Sequence, residues 1–273
     1  MQACNILVIG GGIGGLTAAI ALRARGFAVT VIERDPDWSV YGVGIIQQSN
    51  VIRAMSQLGL IDEYVSAGVG FDAVEIYTPT GVRVARVPTP RLVDGYPANM
   101  GIGRPALHKM LGDRTIASGA HVLLGVTATE WNDDGERVDV RFSNGSSERY
   151  DLVIGADGVY SQTRSALFPD APGPQFTGQA VWRYNFARPE GLDALQVYNG
   201  RTGVGLVPIS SALMYMYVTT PEPDNPRYPR EGLAATMRGK LAETAPAIRA
   251  LAEQIVDDEG VVYRPLDGLL VDG

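Results

Sequence analysis

Hydrophobic positions open this chain in an α/β rhythm. Asn5 to Ile9 is an unbroken apolar, β-branched run ending in glycine, the pattern of a strand buried on both faces of a parallel sheet. Leu16 to Arg25 then repeats apolar residues at helical spacing, with Gly26 as its stop. A second apolar run, Ala28 to Ile32, closes on Glu33. Helices are predicted over Asn50–Leu58, with Gly59 as the stop, and over Ile61–Ala67. Phe71–Tyr77 and Val82–Val87 alternate as strands across the turn Pro79-Thr80-Gly81.

Pro88, Pro90 and Pro97 mark irregular chain, and Gly42 to Ile46 a glycine-interrupted apolar loop. Arg104–Ser118 is predicted helical, with Pro105 in its first turn. His121–Leu124 reads as a strand, and Val138–Phe142 and Arg149–Ile154 as a hairpin across Asn144-Gly145. A buried strand runs into Asp157-Gly158, and a short helix starts near Ser161, which has the chemistry of an N-cap. Past Gln175 the character changes. Gly178–Phe186, Ala194–Tyr198, Gly203–Pro208 and Ala212–Val218 read as antiparallel strands. Helices follow at about Leu233–Glu243 and Ala245–Ile255, and Val261–Gly273 reads as apolar and turn-like.

Composition narrows the classes. With 273 residues, 45% hydrophobic and 19% charged, the chain has enough apolar content for a sizeable core and too little charge for a disordered one. A net charge of -7 argues against a general nucleic-acid binder. A lone cysteine, Cys4, excludes an internal disulfide and fits a reducing cytoplasm. His108 and His121 are the only histidines and are not at ligand spacing, so no metal site is expected. No stretch approaches the ~20 apolar residues of a membrane-spanning helix, and the start of the chain lacks secretory-signal features.

The chemistry concentrates in the first turn. Gly10-Gly11-Gly12-Ile13-Gly14-Gly15 satisfies G-x-G-x-x-G between a strand and a helix. Gly10 permits the tight turn, Gly12 lets a pyrophosphate approach the backbone, and Gly15 lets helix and strand pack closely. The helix N-terminus offers bare N–H groups to phosphate, and Ile13 and Gly14, within the glycine run, are counted among the cofactor-binding residues. Glu33, 18 residues after Gly15, can accept hydrogen bonds from both ribose hydroxyls and would repel a 2′-phosphate. Arg34 beside it either stacks on adenine or is solvated. Asp157 is a second acid at the carboxyl end of a strand, where α/β sheets place ligands.

Together these residues resemble the FAD-dependent aromatic hydroxylases, single-component flavoprotein monooxygenases with the p-hydroxybenzoate hydroxylase fold, and among them the salicylate or 3-hydroxybenzoate hydroxylase-like members. The matching segments are GGGIGG at Gly10–Gly15, Glu33-Arg34, GVGIIQQSN at Gly42–Asn50, IGRPALHKML at Ile102–Leu111, GADGVYSQTR at Gly155–Arg164 and FTGQAVWRYNF at Phe176–Phe186. The resemblance implies an α/β fold: a Rossmann-like FAD-binding domain (residues 1–70 and 98–175) interleaved with an antiparallel-sheet substrate domain (71–97 and 176–273). It implies FAD as cofactor, NADH or NADPH as reductant, and hydroxylation of a small phenolic or related aromatic substrate through a flavin hydroperoxide.

Under that resemblance, Glu33 and Arg34 hold the adenosine end of FAD. Arg104 reaches the phosphate and ribityl region, Val126 touches adenine through its backbone, and Asp157-Gly158 serves pyrophosphate and NAD(P)H use. Gly44, Ile46 and Gln48 run beside the flavin ring. Structural alternatives stand beside these roles: Asp157 as a cap for the Ser161 helix, Arg104 as a surface residue, Ile46 and Val126 as plain core. No base is evident. Arg183, able to pair a substrate carboxylate, and Tyr184, Tyr198 and Tyr217 are the candidate substrate-lining residues, each tyrosine equally readable as core. The oligomeric state stays open between monomer and homodimer.

The resemblance also implies a later strand ending in Gly-Asp, followed by Ala-Ala-His. That motif does not occur, so the chain is expected to be the amino-terminal part of a longer protein. The alternatives are a non-catalytic fragment and another FAD oxidoreductase on the same fold. GVGLVPI at Gly203–Ile209 lacks the Trp-x-Trp-x-Ile-Pro of flavin halogenases, and a plain NAD dehydrogenase leaves Asp157 without a role.

Overall fold

The protein is described by a computed structural model covering residues 4–40 and 42–270. It divides into two compact units. The first comprises the described residues up to 40, Leu107–Pro174 and Leu269–Leu270; the second comprises Gly42–Ala106 and Gln175–Gly268. Residues 42–70 and 98–106, placed with the cofactor domain by the resemblance, thus group with the second unit.

In the first unit four parallel strands lie in the order Leu152–Gly155, Asn5–Ile9, Ala28–Glu33, His121–Leu124. The unbroken apolar runs arise because both faces are covered. Val8, Val29 and Val31 pack with Ala19 of the helix Ile13–Arg23. On the other face Leu7, Ile9 and Ile32 pack with Val140, Phe142 and Tyr150 of an antiparallel sheet formed by Ala128–Asp133, Val138–Phe142 and Ser147–Tyr150. Burying one such aliphatic side chain is worth about 1.5–3 kcal/mol.

The second unit is built on a seven-stranded sheet. Its order is Val262–Gly268, Gln175–Ala187, Leu213–Pro221, Gly203–Pro208, Leu195–Tyr198, Ala73–Tyr77, Arg83–Pro88. Neighbours are antiparallel except Leu195–Tyr198 beside Ala73–Tyr77. One face, with Trp182, Phe186, Tyr198 and Met216, forms a core with Met237 and Ile248 of the helices Leu233–Lys240 and Pro246–Ala252. A small antiparallel sheet, Gly44–Gln47, Asn99–Gly103 and Gly68–Phe71, packs on the seven-stranded sheet, Phe71 and Ile46 meeting Val207 and Tyr215. A Cβ on Gly101 would stand 1.9 Å from the Pro208 carbonyl oxygen, so only glycine allows this approach.

The sequence-based elements are corrected at several places. The first helix begins at Ile13, three residues before Leu16. Gly44–Gln47 and Asn99–Gly103, expected as loop and irregular chain, are paired strands: cross-strand bonding overrides the local weakness of glycine and proline. The Arg149–Ile154 run splits at Asp151. Its first part pairs with Val138–Phe142, and its second joins the parallel sheet. The switch is pinned by the Asp151 carboxylate, which accepts the Asn5 N–H at 2.7 Å and pairs with Arg137 at 2.9 Å. Phe71–Tyr77 is likewise two strands, Gly68–Phe71 and Ala73–Tyr77. Val262–Gly268 is an edge strand pairing with Gln175–Ala187, where turn-like chain was expected. Ala128–Asp133 was not anticipated as a strand; its outward residues are polar and the apolar signal is thin.

Candidate dinucleotide site

At the carboxyl end of the parallel sheet a cavity of about 230 Å³ opens among Gly10, Gly12, Glu33, Arg34, Val126 and Asp157, with Gly158, Tyr160 and Gln162 also lining it. Gly10 sits at φ +111°, and its N–H donates to the Ile32 carbonyl at 2.8 Å. A Cβ there would lie 2.4 Å from the Ala156 oxygen, and one on Gly15 would lie 1.9 Å from the Gly10 oxygen. Gly12 and Gly14 differ: a Cβ on either would meet nothing within 4 Å. Their bareness serves no contact inside the fold and leaves the backbone open. Gly12 is the N-cap of the helix Ile13–Arg23 and supplies no side-chain cap, so first-turn N–H groups at Ile13 and Gly14 are left for a ligand.

Glu33 is held on both carboxylate oxygens. Oε2 accepts the Gly11 N–H and Oε1 the Asp35 N–H, each at 2.9 Å. A carboxylate oxygen has a second lone pair, so the clamp leaves acceptor capacity for a sugar diol. The Val126 N–H donates to the Glu33 carbonyl at 2.9 Å, and its side chain is core. Arg34 is exposed at the cavity edge.

Asp157 caps the helix Gln162–Leu167. Oδ2 accepts the N–H groups of Gln162 (2.8 Å) and Thr163 (3.1 Å), and Oδ1 accepts the Ser161 hydroxyl, whose own oxygen accepts the Arg164 N–H at 2.9 Å. Burial works against its charge, yet hydrogen bonds from Ser161 and Thr163 outweigh it and hold the carboxyl below its ordinary range. Gly158 follows at φ +85°.

The sequence reading placed neither Trp38 nor His108 at this turn, His108 having been weighed only as a metal ligand, yet both bond to it. The Trp38 indole N–H donates to the Gly11 carbonyl at 2.8 Å, and His108 Nε2 lies 2.9 Å from the same oxygen. The signal available was position: His108 lies within IGRPALHKML, and Trp38 follows Glu33 by five residues.

In the second unit alternation along the strands sorts the substrate candidates. Arg183 lies opposite Tyr217, and Asn185 opposite Tyr215, on one face. Tyr184 and Tyr198 belong to the other face: Tyr198 is core and stacks on Tyr77, and Tyr184 packs against the same core. Both side chains thus lie on the helix-packed face, opposite the one that carries Arg183 and Tyr217. Arg183 is half-buried with no acid partner among the described residues; burial, then the nearby Arg104 guanidinium, push it below its usual value. Tyr215 and Tyr217 are raised by burial. Gly44 must be glycine, since a Cβ would lie 2.1 Å from the Tyr215 ring. Ile46 packs with Phe71, Val207 and Tyr215. Gln48 is the N-cap residue of the helix Ser49–Gln57, and the Arg104 N–H donates to Val43 at 3.0 Å.

The sequence pattern of the FAD binding domain family matches residues 3–251. The chain belongs to that family. It is 28% identical over 220 residues to the putative FAD-dependent monooxygenase YetM of Bacillus subtilis (strain 168), which covers 80% of this chain and 60% of YetM. It is 36% identical over 183 residues to the 3-amino-4-hydroxybenzoate 2-monooxygenase of Streptomyces cremeus, covering 66% of this chain and 45% of that protein. The crystal structure of Klebsiella pneumoniae HpxO complexed with FAD and uric acid superposes with a TM-score of 0.85 at 26% identity, over 99% of this chain and 71% of HpxO. The fold is that of the p-hydroxybenzoate hydroxylase group, and its cofactor is FAD. The chain thus spans three-fifths or less of the length of these two curated relatives.

Proposed function

We propose that this chain carries the FAD-binding and substrate-contacting parts of an NAD(P)H-dependent monooxygenase acting on a small phenolic or related aromatic compound. The carrying observation is the cavity at the first βα turn: Gly12 and Gly14 are bare where no neighbour requires it, beside a carboxylate suited to a ribose diol. Those features fit the ADP half of FAD. Bound there, FAD would supply the redox and oxygen-activating chemistry. A relative, the 3-amino-4-hydroxybenzoate 2-monooxygenase of Streptomyces cremeus, supports the aromatic substrate class.

The chain's own residues divide the remaining work. Gly12, Ile13 and Gly14 would present N–H groups to the pyrophosphate, Glu33 would take the ribose, and Arg34 and the Val126 backbone would flank adenine. Asp157 would act by holding its loop, with Gly158 giving close approach. Arg183 and Tyr217 would orient the aromatic substrate, the guanidinium pairing an acidic substituent.

The test is titration of the purified protein with FAD, followed by flavin fluorescence, and then NADH and NADPH oxidation with and without phenolic compounds. Saturable FAD binding, weakened at least tenfold by Glu33→Ala, is expected. Protein that takes up no FAD at millimolar cofactor rejects the proposal.

A further inference from the structure

The peptide joining Gly11 to Gly12 is gripped from one side. Its carbonyl oxygen accepts the Trp38 indole N–H at 2.8 Å and meets buried His108 Nε2 at 2.9 Å. Because that oxygen can only accept, the His108 proton sits on Nε2. The two rings brace each other edge to face, with centroids 5.3 Å apart at 88°. Gly112 lies beneath Trp38, where a Cβ would be 3.2 Å from the indole. Trp38 itself is held at φ 50°, an uncommon angle for a residue with a side chain. The chain leading to it is folded onto Asp35, whose carboxylate accepts the Asp37 N–H at 3.0 Å and the Ser39 N–H at 2.9 Å.

In a trans peptide the carbonyl and the N–H point in opposite directions. With the Gly11 carbonyl turned toward Trp38 and His108, the Gly12 N–H is turned the other way. Gly12 lines the cavity; Trp38 and His108 do not. A peptide between two glycines has little steric preference of its own and can flip cheaply. Flipped, it would aim a carbonyl oxygen at a phosphate.

We propose that Trp38 and His108 form a latch that fixes the Gly11–Gly12 peptide with its N–H toward the cavity, making them positioning residues for the pyrophosphate of the dinucleotide. The proposal rests on the cavity holding the ADP half of FAD. The latch acts on phosphate recognition alone and leaves the base and sugar contacts untouched.

Calorimetric titration of the full chain with ADP and with adenosine separates these effects. Trp38→Phe keeps the ring and loses the donor; His108→Asn shortens the donor's reach, and His108→Gln restores it. Trp38→Phe and His108→Asn are each expected to weaken ADP roughly three- to tenfold with adenosine unchanged, and His108→Gln to bind ADP like the parent. Unchanged ADP affinity in both donor-loss variants overturns the latch. So does a parallel loss of ADP and adenosine, which would mark a distorted pocket. A parent protein that binds neither ligand removes the dinucleotide reading as well, which separates the two failures.

Discussion

The glycines of the first turn look alike in the sequence but carry different burdens. Gly15 is demanded by the fold, since any side chain would enter the Gly10 carbonyl. Gly12 is demanded only by what binds there, because the space around it is open. Gly15→Ala is therefore expected to cost about 3 kcal/mol of stability, measured by urea denaturation. Gly12→Ala should stay within about 1 kcal/mol of the parent while weakening FAD at least tenfold by fluorescence titration. Equal stability losses at both positions would contradict the division. The G-x-G-x-x-G spacing with Glu33 was legible because it is local: strand, turn and helix are consecutive. Trp38 and His108 were not, because the oxygen they share lies 27 and 97 residues away along the chain.

Among elements, the short helix Gln162–Leu167 depends on its cap. Asp157 and Ser161 between them satisfy N–H groups of its first turn, and Asp157→Ala is expected to cost about 1–2 kcal/mol. The Asp157 carboxyl is depressed below its ordinary value in the folded state, while the unfolded chain titrates near pH 4. Its stabilisation is therefore complete above about pH 5 and is lost as the pH falls through the folded value. The stability gap between the parent and Asp157→Asn should shrink between about pH 5 and pH 3 in denaturation curves; a constant gap would refute the charge-based cap. The Ser161 cap was legible from local chemistry. The break at Asp151 was not, since Arg149–Ile154 reads as one strand-forming run until the partner strands divide it between two sheets.

Across the seven-stranded sheet, the two faces separate the proposed substrate-orienting residues from the helix-packed core. Arg183 and Tyr217 share one face, while Tyr184 and Tyr198 belong to the helix-packed core. Replacing Arg183 by Met removes a half-buried charge with no acid partner among the described residues. The variant is expected to hold or gain stability while raising KM for a carboxylate-bearing aromatic substrate about tenfold. Tyr184→Phe and Tyr198→Phe should leave that KM in place; the reverse pattern in steady-state kinetics would overturn the face assignment. Among the described residues no helix is long and apolar enough to cross a membrane, and no cluster of metal-ligating side chains occurs.

Local sequence was enough for the strand–turn–helix unit, its glycine run and its acid, together with the strand-rich half that follows. Each is set by the intrinsic conformational freedom of neighbouring residues and by hydrophobic period. Which strands pair, where Asp151 hands the chain from one sheet to another, which tyrosines share a face with Arg183, and which distant side chains grip Gly11 were settled by packing in three dimensions. Those choices belong to packing and hydrogen bonding between segments far apart in the chain, where closing the intervening loop must be offset by contacts that no local window contains.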